Sequence, residues 1–179
     1  MKTKILLLVI STLVLGLTLR SVIPTDVEIA ADLKAKQRGV CWVGGRQIVT
    51  EKEFESLIKN NVNWISQTPF AWQNGFSDPE IRMNTNSDRV WWGESDLGIA
   101  ETTQMAMKLK IKTLLKPHLW IRGSWPGDVQ MQDEAKWKEW FSNYTTFIIH
   151  YAKLAEVNHI EIFCIGTELS HASTREADW

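Results

Sequence analysis

A buried strand is predicted over Ile111–Leu119, within the run IKTLLKPHLW at residues 111–120. The run is rich in apolar residues and is followed by a polar loop. A helix is predicted before this strand, with Ser95 as its N-cap and with residues at helical spacing up to about Lys110. A strand that alternates with helices in this way is the repeating unit of a parallel α/β sheet.

The same unit recurs on both sides of this strand. Three further strands are predicted to begin near Gly39, Val62 and His159. One helix starts at the capping box Thr50–Glu53, and another covers about Asp133 to Ala155 with aromatic residues at helical spacing. A long polar, aromatic loop is predicted over Ala71–Glu94. The order βαβαβαβ indicates a parallel sheet with crossover helices.

Four such units are half of a (β/α)8 TIM barrel, which normally takes about 250 residues. Half a barrel cannot close, so its last strand exposes an edge and its inner face is open to water. Two interpretations remain: an open, doubly wound sheet, or a piece of a longer barrel. The absence of a closing element after the fourth strand favours the second. We therefore expect an α/β protein in which residues 39–179 form the first four βα units of a TIM barrel.

The N-terminus resembles an export signal. Lys2 and Lys4 precede the uncharged, mostly apolar run Ile5–Leu19, which Arg20 ends. We expect residues 1–22 to be a signal peptide or an uncleaved membrane anchor, and residues 23–38 to be a lead-in segment. The expected location is periplasmic, extracellular or anchored on the outer side of the membrane.

Composition narrows the class of function. The 20 Lys and Arg residues nearly balance the 21 Asp and Glu residues, which argues against nucleic-acid binding. No metal-ligand pattern or phosphate-binding glycine loop is present, so no metal or other cofactor is expected. Cys41 and Cys164 are expected to be buried free thiols. They lie on the first and fourth predicted strands, and the two strands between them hold their Cα atoms too far apart for a disulfide. Ten Trp residues among 179 favour carbohydrate stacking.

Candidate site residues lie at the carboxyl ends of the third and fourth predicted strands, where α/β folds bind ligands. Strand alternation places Lys116, His118 and Trp120 on one face. It also places Glu168 on the face that carries Cys164 and Gly166, so that Glu168 meets His118 and Trp120 at the barrel mouth. Burial there should raise the pKa of Glu168, which suits a general acid. The alternative is that Glu168 forms a buried ion pair with a lysine such as Lys116.

The tryptophans divide into two groups. Trp137 and Trp140 follow the apolar stripe of the last helix and are expected in the core. The candidates for stacking on sugar rings are Trp42, Trp72, Trp91, Trp92, Trp120 and Trp125. His118 is expected to hydrogen-bond substrate rather than to be a core imidazole. Lys116 pairs with a carboxylate at the mouth or holds the strand end.

Three segments together resemble glycoside hydrolase family 113, a TIM-barrel family that includes β-mannanases: Leu115–Trp120, the aromatic helix from Trp137, and Ile165–Leu169. The resemblance covers the N-terminal half of the family's barrel. It implies a retaining mechanism with two glutamates. Glu168 maps onto the acid/base after the fourth strand. The nucleophile follows the seventh strand, which this sequence lacks. Thr167 stands where many related enzymes have an Asn that binds the sugar 2-hydroxyl.

Three functions follow in order of preference. The first is an exported glycosidase acting on β-mannan or a related β-linked polysaccharide. This chain is its N-terminal half and is expected to be inactive alone. The second is a non-catalytic carbohydrate-binding protein on a hydrolase-like barrel. The third is an open-sheet α/β domain with unrelated small-molecule chemistry.

Overall fold

The computed structural model of the protein describes residues 36–83 and 90–179. The expected signal or anchor at residues 1–22, and nearly all of the lead-in segment, lie outside these residues. One folded unit covers Arg38–Trp179. Among the described residues, no helix combines the length and the apolar composition needed to cross a bilayer.

The strands of residues 36–83 and 90–179 form two sheets, and neighbouring strands there run parallel except for one short antiparallel pair. The first sheet has the order β1-β2-β5-β7, with β1 at Gly39–Trp42, β2 at Trp64–Gln67, β5 at Lys112–Leu115 and β7 at Ile162–Phe163. The second has the order β4-β3-β6, with β3 at Phe70–Gln73, β4 at Arg82–Met83 and β6 at His118–Ile121. Among the described strands, only β3 and β4 pair antiparallel. The predicted parallel order of the four main strands is confirmed.

Two prolines divide what is otherwise one continuous ladder. Proline has no backbone N–H to donate, so regular pairing stops at Pro69 and Pro117. Hydrogen bonds from Lys116 N to the Gln67 carbonyl and from His118 N to the Pro69 carbonyl, both 2.9 Å, bridge the gap. The pairing register is the same before and after it. Strand pairing therefore resumes after the prolines and continues to Gln73. The prediction that a loop begins at Ala71 is wrong, because residues 71–73 belong to β3.

The described part of the chain contains three α-helices, which pack on one side of this ladder. They are α1 at Glu51–Lys59, α2 at Asp96–Lys108 and α3 at Glu134–Val157. The predicted caps are present: Glu53 Oε2 accepts from the Thr50 backbone N at 2.7 Å, and Ser95 Oγ accepts from Gly98 N at 3.0 Å. The apolar stripe of α3 supplies nearly half of the buried residues of the larger core, and Trp137 and Trp140 are buried there as predicted.

Burial alternates strictly along the ladder. The odd-numbered residues from 65 to 73 and from 111 to 121 are buried, and the even-numbered residues are more open. This follows from the two-residue period of a strand, with the helices on one face only. The prediction that Lys116, His118 and Trp120 share a face is confirmed. The open face carries the candidate site.

Two local predictions are wrong, one about the placement of Glu168 and one about the burial of the cysteines. The fourth strand is only two residues long, and Glu168 lies beyond it in a left-handed conformation, with φ +58°. Strand alternation therefore does not place Glu168 with Cys164 and Gly166. The two cysteines are free, as expected, but Cys41 is exposed and Cys164 is half-buried. The open face is not covered by a second layer among the described residues, so the strands there are not buried on both sides.

Candidate active site

Three side chains from two separate segments of the chain meet at the carboxyl ends of the strands. The indole Nε1 of Trp125 donates a 2.7 Å hydrogen bond to Glu168 Oε2. His118 Nε2 lies 3.6 Å from the same oxygen. His118 opens β6, Trp125 follows β6, and Glu168 follows β7. The predicted approach of Glu168 to His118 is confirmed.

Glu168 is held in place by its neighbours on both sides. The Tyr144 hydroxyl of α3 donates to the Ile165 carbonyl at 2.9 Å, which ties the preceding turn to the core. Leu169 is buried in the larger core. A 3.3 Å hydrogen bond from His171 N to the Gly127 carbonyl joins this segment to the turn that carries Trp125. These contacts hold the left-handed backbone of Glu168, which is unfavourable for a residue with a side chain.

Trp125 is fixed by the short turn that follows it. Asp128 Oδ2 accepts hydrogen bonds from Ser124 Oγ at 2.7 Å and from Trp125 N at 3.3 Å. These bonds lower the pKa of Asp128. The indole covers Gly127 so closely that a Cβ there would overlap its six-membered ring. The turn therefore dictates the direction in which Nε1 points.

His118 presents one ring nitrogen to the cavity. Its Nδ1 lies 2.9 Å from the Leu119 carbonyl, so a proton on Nδ1 can be donated there. This leaves Nε2 facing the Glu168 carboxylate at 3.6 Å, too far for a strong hydrogen bond but near enough for charge attraction when the ring carries a second proton. The ring also packs at a tilt against Phe70, with centroids 5.4 Å apart.

The pKa of Glu168 shifts in the opposite direction to the one expected. The hydrogen bond from Trp125 is the largest cause and holds the pKa of Glu168 below its ordinary value, and the electrostatic influence of nearby His118 lowers it further. Burial was expected to raise it, but the Glu168 side chain is 49% exposed. Lys116 acts only as a more distant positive charge, so the alternative of a buried Glu168–Lys116 ion pair is not found.

The cluster opens into a cavity of about 320 Å³, whose walls include His118, Trp120, Trp125 and Glu168. A second cavity of about 440 Å³ is lined by Phe70, Trp72, Trp91, Glu94 and Trp120. Phe70 and Trp120 line both. Four predicted site residues thus line the first cavity, and the predicted stacking candidates Trp72 and Trp91 line the second.

Trp42 lies elsewhere. Its ring stacks on Phe54 with centroids 4.6 Å apart, in the smaller core beneath β1 and β2. Phe70 and Glu94 were not predicted as site residues. The alternation along β3 was a usable signal for Phe70. Glu94 gave none, because the turn that carries it is placed by backbone contact of Gly93 with Gly44 and Gly45, almost fifty residues away.

The described part of the chain contains no group of three or more His, Cys, Asp or Glu side chains that could hold a metal ion. The arrangement instead offers one carboxyl group, two hydrogen-bonding partners and several aromatic faces beside an open cavity. Such a set can transfer a proton to or from a neutral, hydroxyl-rich ligand.

Comparison with known proteins settles the family. A sequence model of Glycoside Hydrolase Family 113 matches residues 44–179, about three quarters of the chain. The chain belongs to glycoside hydrolase family 113. No curated protein matches the chain significantly.

Solved structures of family 113 members are similar to this chain. One is the β-mannanase of Alicyclobacillus acidocaldarius in complex with ManMIm, with 28% identity and a TM-score of 0.69. Another is a β-1,4-mannanase complex, with 28% identity and a TM-score of 0.67. Each match covers 79% of this chain and 48% of the other. The chain thus spans about half the length of these family 113 structures, and its fold is part of a TIM barrel.

Proposed function

We propose that the protein containing this family 113 chain is a retaining glycoside hydrolase that acts on β-mannan or a related β-linked polysaccharide. Glu168 is its general acid/base. The observation that carries the proposal is the position of Glu168, held by Trp125 and facing His118 in an open cavity at the carboxyl ends of parallel strands. The β-mannanase names of the similar structures support the choice of substrate.

The mechanism requires a second carboxylate that we place beyond residue 179. In retaining hydrolysis the two carboxyl groups lie about 5–5.5 Å apart. Protonated Glu168 gives its proton to the glycosidic oxygen as the C–O bond breaks, and the second carboxylate bonds to the sugar carbon. Ionised Glu168 then takes a proton from the water that displaces the second carboxylate. Trp125 and His118 both approach Oε2, so Oε1 is the oxygen that exchanges the proton.

The lowered pKa of Glu168 is compatible with this role. A second ionised carboxylate nearby raises the pKa of the first, because two like charges at short range cannot both form easily. Once that carboxylate is bonded to the sugar its charge is lost, and the pKa of Glu168 falls again. Glu168 is then ionised and ready to accept the proton of water.

The test is Glu168→Gln in the full-length protein. Hydrolysis of mannan should fall by about 10²–10⁴-fold, because general acid–base catalysis contributes that much. Formation of the glycosyl-enzyme from an aryl mannoside with a good leaving group should fall far less, since that group needs no proton. The matched control is Glu176→Gln, an exposed carboxylate on the same segment, which should keep full activity.

Full mannanase activity in Glu168→Gln would contradict the assignment. If the unmodified full-length protein binds manno-oligosaccharides but never hydrolyses them, the non-catalytic carbohydrate-binding function is the correct one. We further propose that residues 1–22 export the protein, as their basic start and apolar run suggest. Recovery of the native protein from the cytosol alone would contradict this.

A further inference from the structure

The segment that follows Glu168, residues 169–179, consists of turns, with two helical stretches of three residues each. Two of its side chains, Leu169 and Ala172, are buried in the larger core. Glu168 itself has φ +58°. A residue with a side chain keeps this backbone conformation only where its surroundings hold it. The contacts made by residues 169–179 therefore help to fix the proposed acid/base.

Arg175 joins this segment to the start of α3. Its Nη1 and Nη2 donate hydrogen bonds to Glu134 Oε1 and Oε2 at 3.0 and 2.6 Å. Its Nε donates to Asp178 Oδ2 at 2.6 Å. The guanidinium also lies over the Trp137 ring, 4.8 Å from its centroid. Arg175 thus contacts two carboxylates and one aromatic face, and 22% of its side chain is exposed.

This arrangement differs from an ordinary surface ion pair. A single exposed pair contributes little, because water and salt screen it. A bidentate arginine–carboxylate pair is stronger, and stacking of the guanidinium on an indole adds to it. The Lys136–Glu139 pair is of the ordinary kind, with one 2.8 Å contact and both side chains about half exposed. It joins two residues of one helix, whereas Arg175 joins α3 to another segment.

Hydrogen bonds within residues 169–179 connect Arg175 to the neighbour of Glu168. Arg175 N donates to the Ala172 carbonyl at 3.2 Å, and Ser173 N donates to the Leu169 carbonyl at 2.8 Å. Leu169 directly follows Glu168. A displacement of Arg175 is therefore passed to the backbone that carries the Glu168 carboxylate.

The same segment also contacts the turn that carries Trp125. His171 N donates to the Gly127 carbonyl at 3.3 Å. The Trp125 indole in turn donates to Glu168 Oε2 at 2.7 Å, and this bond is the largest cause of the lowered pKa of Glu168. The bond requires that the turn and residues 169–179 keep their spacing.

We propose that Arg175 is a positioning residue for the acid/base. By joining residues 169–179 to α3, it keeps Glu168 within hydrogen-bond distance of Trp125. The proposal rests on the proposed glycosidase function, which it deepens. Arg175 acts through Glu168 rather than on the substrate, so its loss should have the same consequences as loss of the Trp125–Glu168 hydrogen bond.

The test is Arg175→Met in the full-length protein, with kcat/KM for mannan measured against pH. When the Trp125 bond is lost, the pKa of Glu168 rises toward its ordinary value, so the basic limb of the profile should move to higher pH. The value of kcat should fall by up to about tenfold, because the carboxyl group loses the bond that orients it. The matched control is Lys136→Met, which should change neither the profile nor the rate.

A double substitution separates positioning from a general weakening of the fold. In a Trp125→Phe background the hydrogen bond is already absent, so adding Arg175→Met should move the profile no further. An additional shift of the same size would overturn the proposal. So would an unmoved profile in folded Arg175→Met, or an equal shift in Lys136→Met.

A milder variant covers the case in which Arg175→Met does not fold. Glu134→Gln removes the charge of one partner and leaves Asp178 in place. It should move the basic limb in the same direction by a smaller amount, since a neutral amide binds the guanidinium less strongly than a carboxylate does. An unmoved profile in Glu134→Gln would then overturn the proposal.

A titration makes the result independent of turnover. Carbon-13 NMR of the carboxyl groups can follow Glu168 in the full-length protein, because its signal is identified by its loss in Glu168→Gln. The midpoint should be higher in Arg175→Met than in the unmodified protein. His118 and Lys116, which also lower the pKa of Glu168, lie on the ladder and are present in both proteins.

The titration also separates the two proposals. A raised midpoint in Arg175→Met, together with an unmodified protein that never hydrolyses mannan, would support the positioning role of Arg175 and overturn the glycosidase function alone. An unchanged midpoint, together with normal hydrolysis by the unmodified protein, would overturn the positioning role alone.

Discussion

At the scale of single residues, the hydrogen bond from Trp125 Nε1 to Glu168 Oε2 sets the charge state of the proposed acid/base. It is the largest cause of the lowered pKa of Glu168. The acid must be protonated for the first step, so kcat/KM falls as the pH rises through this pKa. Trp125→Phe removes the donor and keeps a ring. We expect the basic limb of the pH profile to move to higher pH.

The same substitution should lower kcat by about tenfold, because the carboxyl group loses the bond that orients it. The profile of kcat/KM against pH for full-length protein and for Trp125→Phe provides the measurement. Trp125 is a positioning residue in this view, since its effect passes through Glu168. A pH profile that does not move, whatever the change in rate, would show that Trp125 acts only as a surface for the sugar.

At the scale of elements, the turn Pro126–Asp128 decides the orientation of Trp125. A Cβ at Gly127 would overlap the indole ring, so Gly127→Ala must displace it. We expect this variant to move the pH profile in the same direction as Trp125→Phe. Gly75→Ala is the matched control, because a Cβ at Gly75 meets no atom within 4 Å. An unmoved profile in Gly127→Ala would show that Trp125 does not need this turn.

Some features of the helices and strands could be predicted from the sequence, and others could not. The caps at Thr50 and Ser95 and the aromatic stripe of α3 were predictable because each depends on residues within a few positions. The continuation of strand pairing past Pro69 and Pro117 was not predictable. It requires that the partner strand, 48 residues away, be interrupted by a proline at the matching position.

At the scale of the whole molecule, the open face of the ladder has aromatic side chains without a covering layer among the described residues. Trp72 and Trp120 are about half exposed there. We expect the 179-residue chain, purified alone, to show no hydrolysis of mannan and no cooperative thermal transition by circular dichroism. Hydrolysis should be absent because the retaining mechanism needs a second carboxylate. A cooperative transition should be absent because half a barrel leaves its inner face exposed to solvent.

Detectable hydrolysis by this chain alone would contradict that expectation. Sequencing the coding DNA past the codon for Trp179 is the direct check on the missing carboxylate. The proposed function requires roughly 120–180 further residues that complete the barrel. Among them should be a Glu at the end of the seventh strand.

The sequence by itself determined the order of strands and helices, the shared face of Lys116, His118 and Trp120, and the family resemblance around Glu168. These depend on side-chain periodicity and on short motifs, which a chain carries locally. Only the tertiary structure decided that Trp125 holds Glu168 across 43 positions, that Trp42 packs on Phe54, and that Glu94 lies in the second cavity. It also reversed the expected pKa shift, because solvent access and hydrogen-bond partners depend on contacts between distant segments.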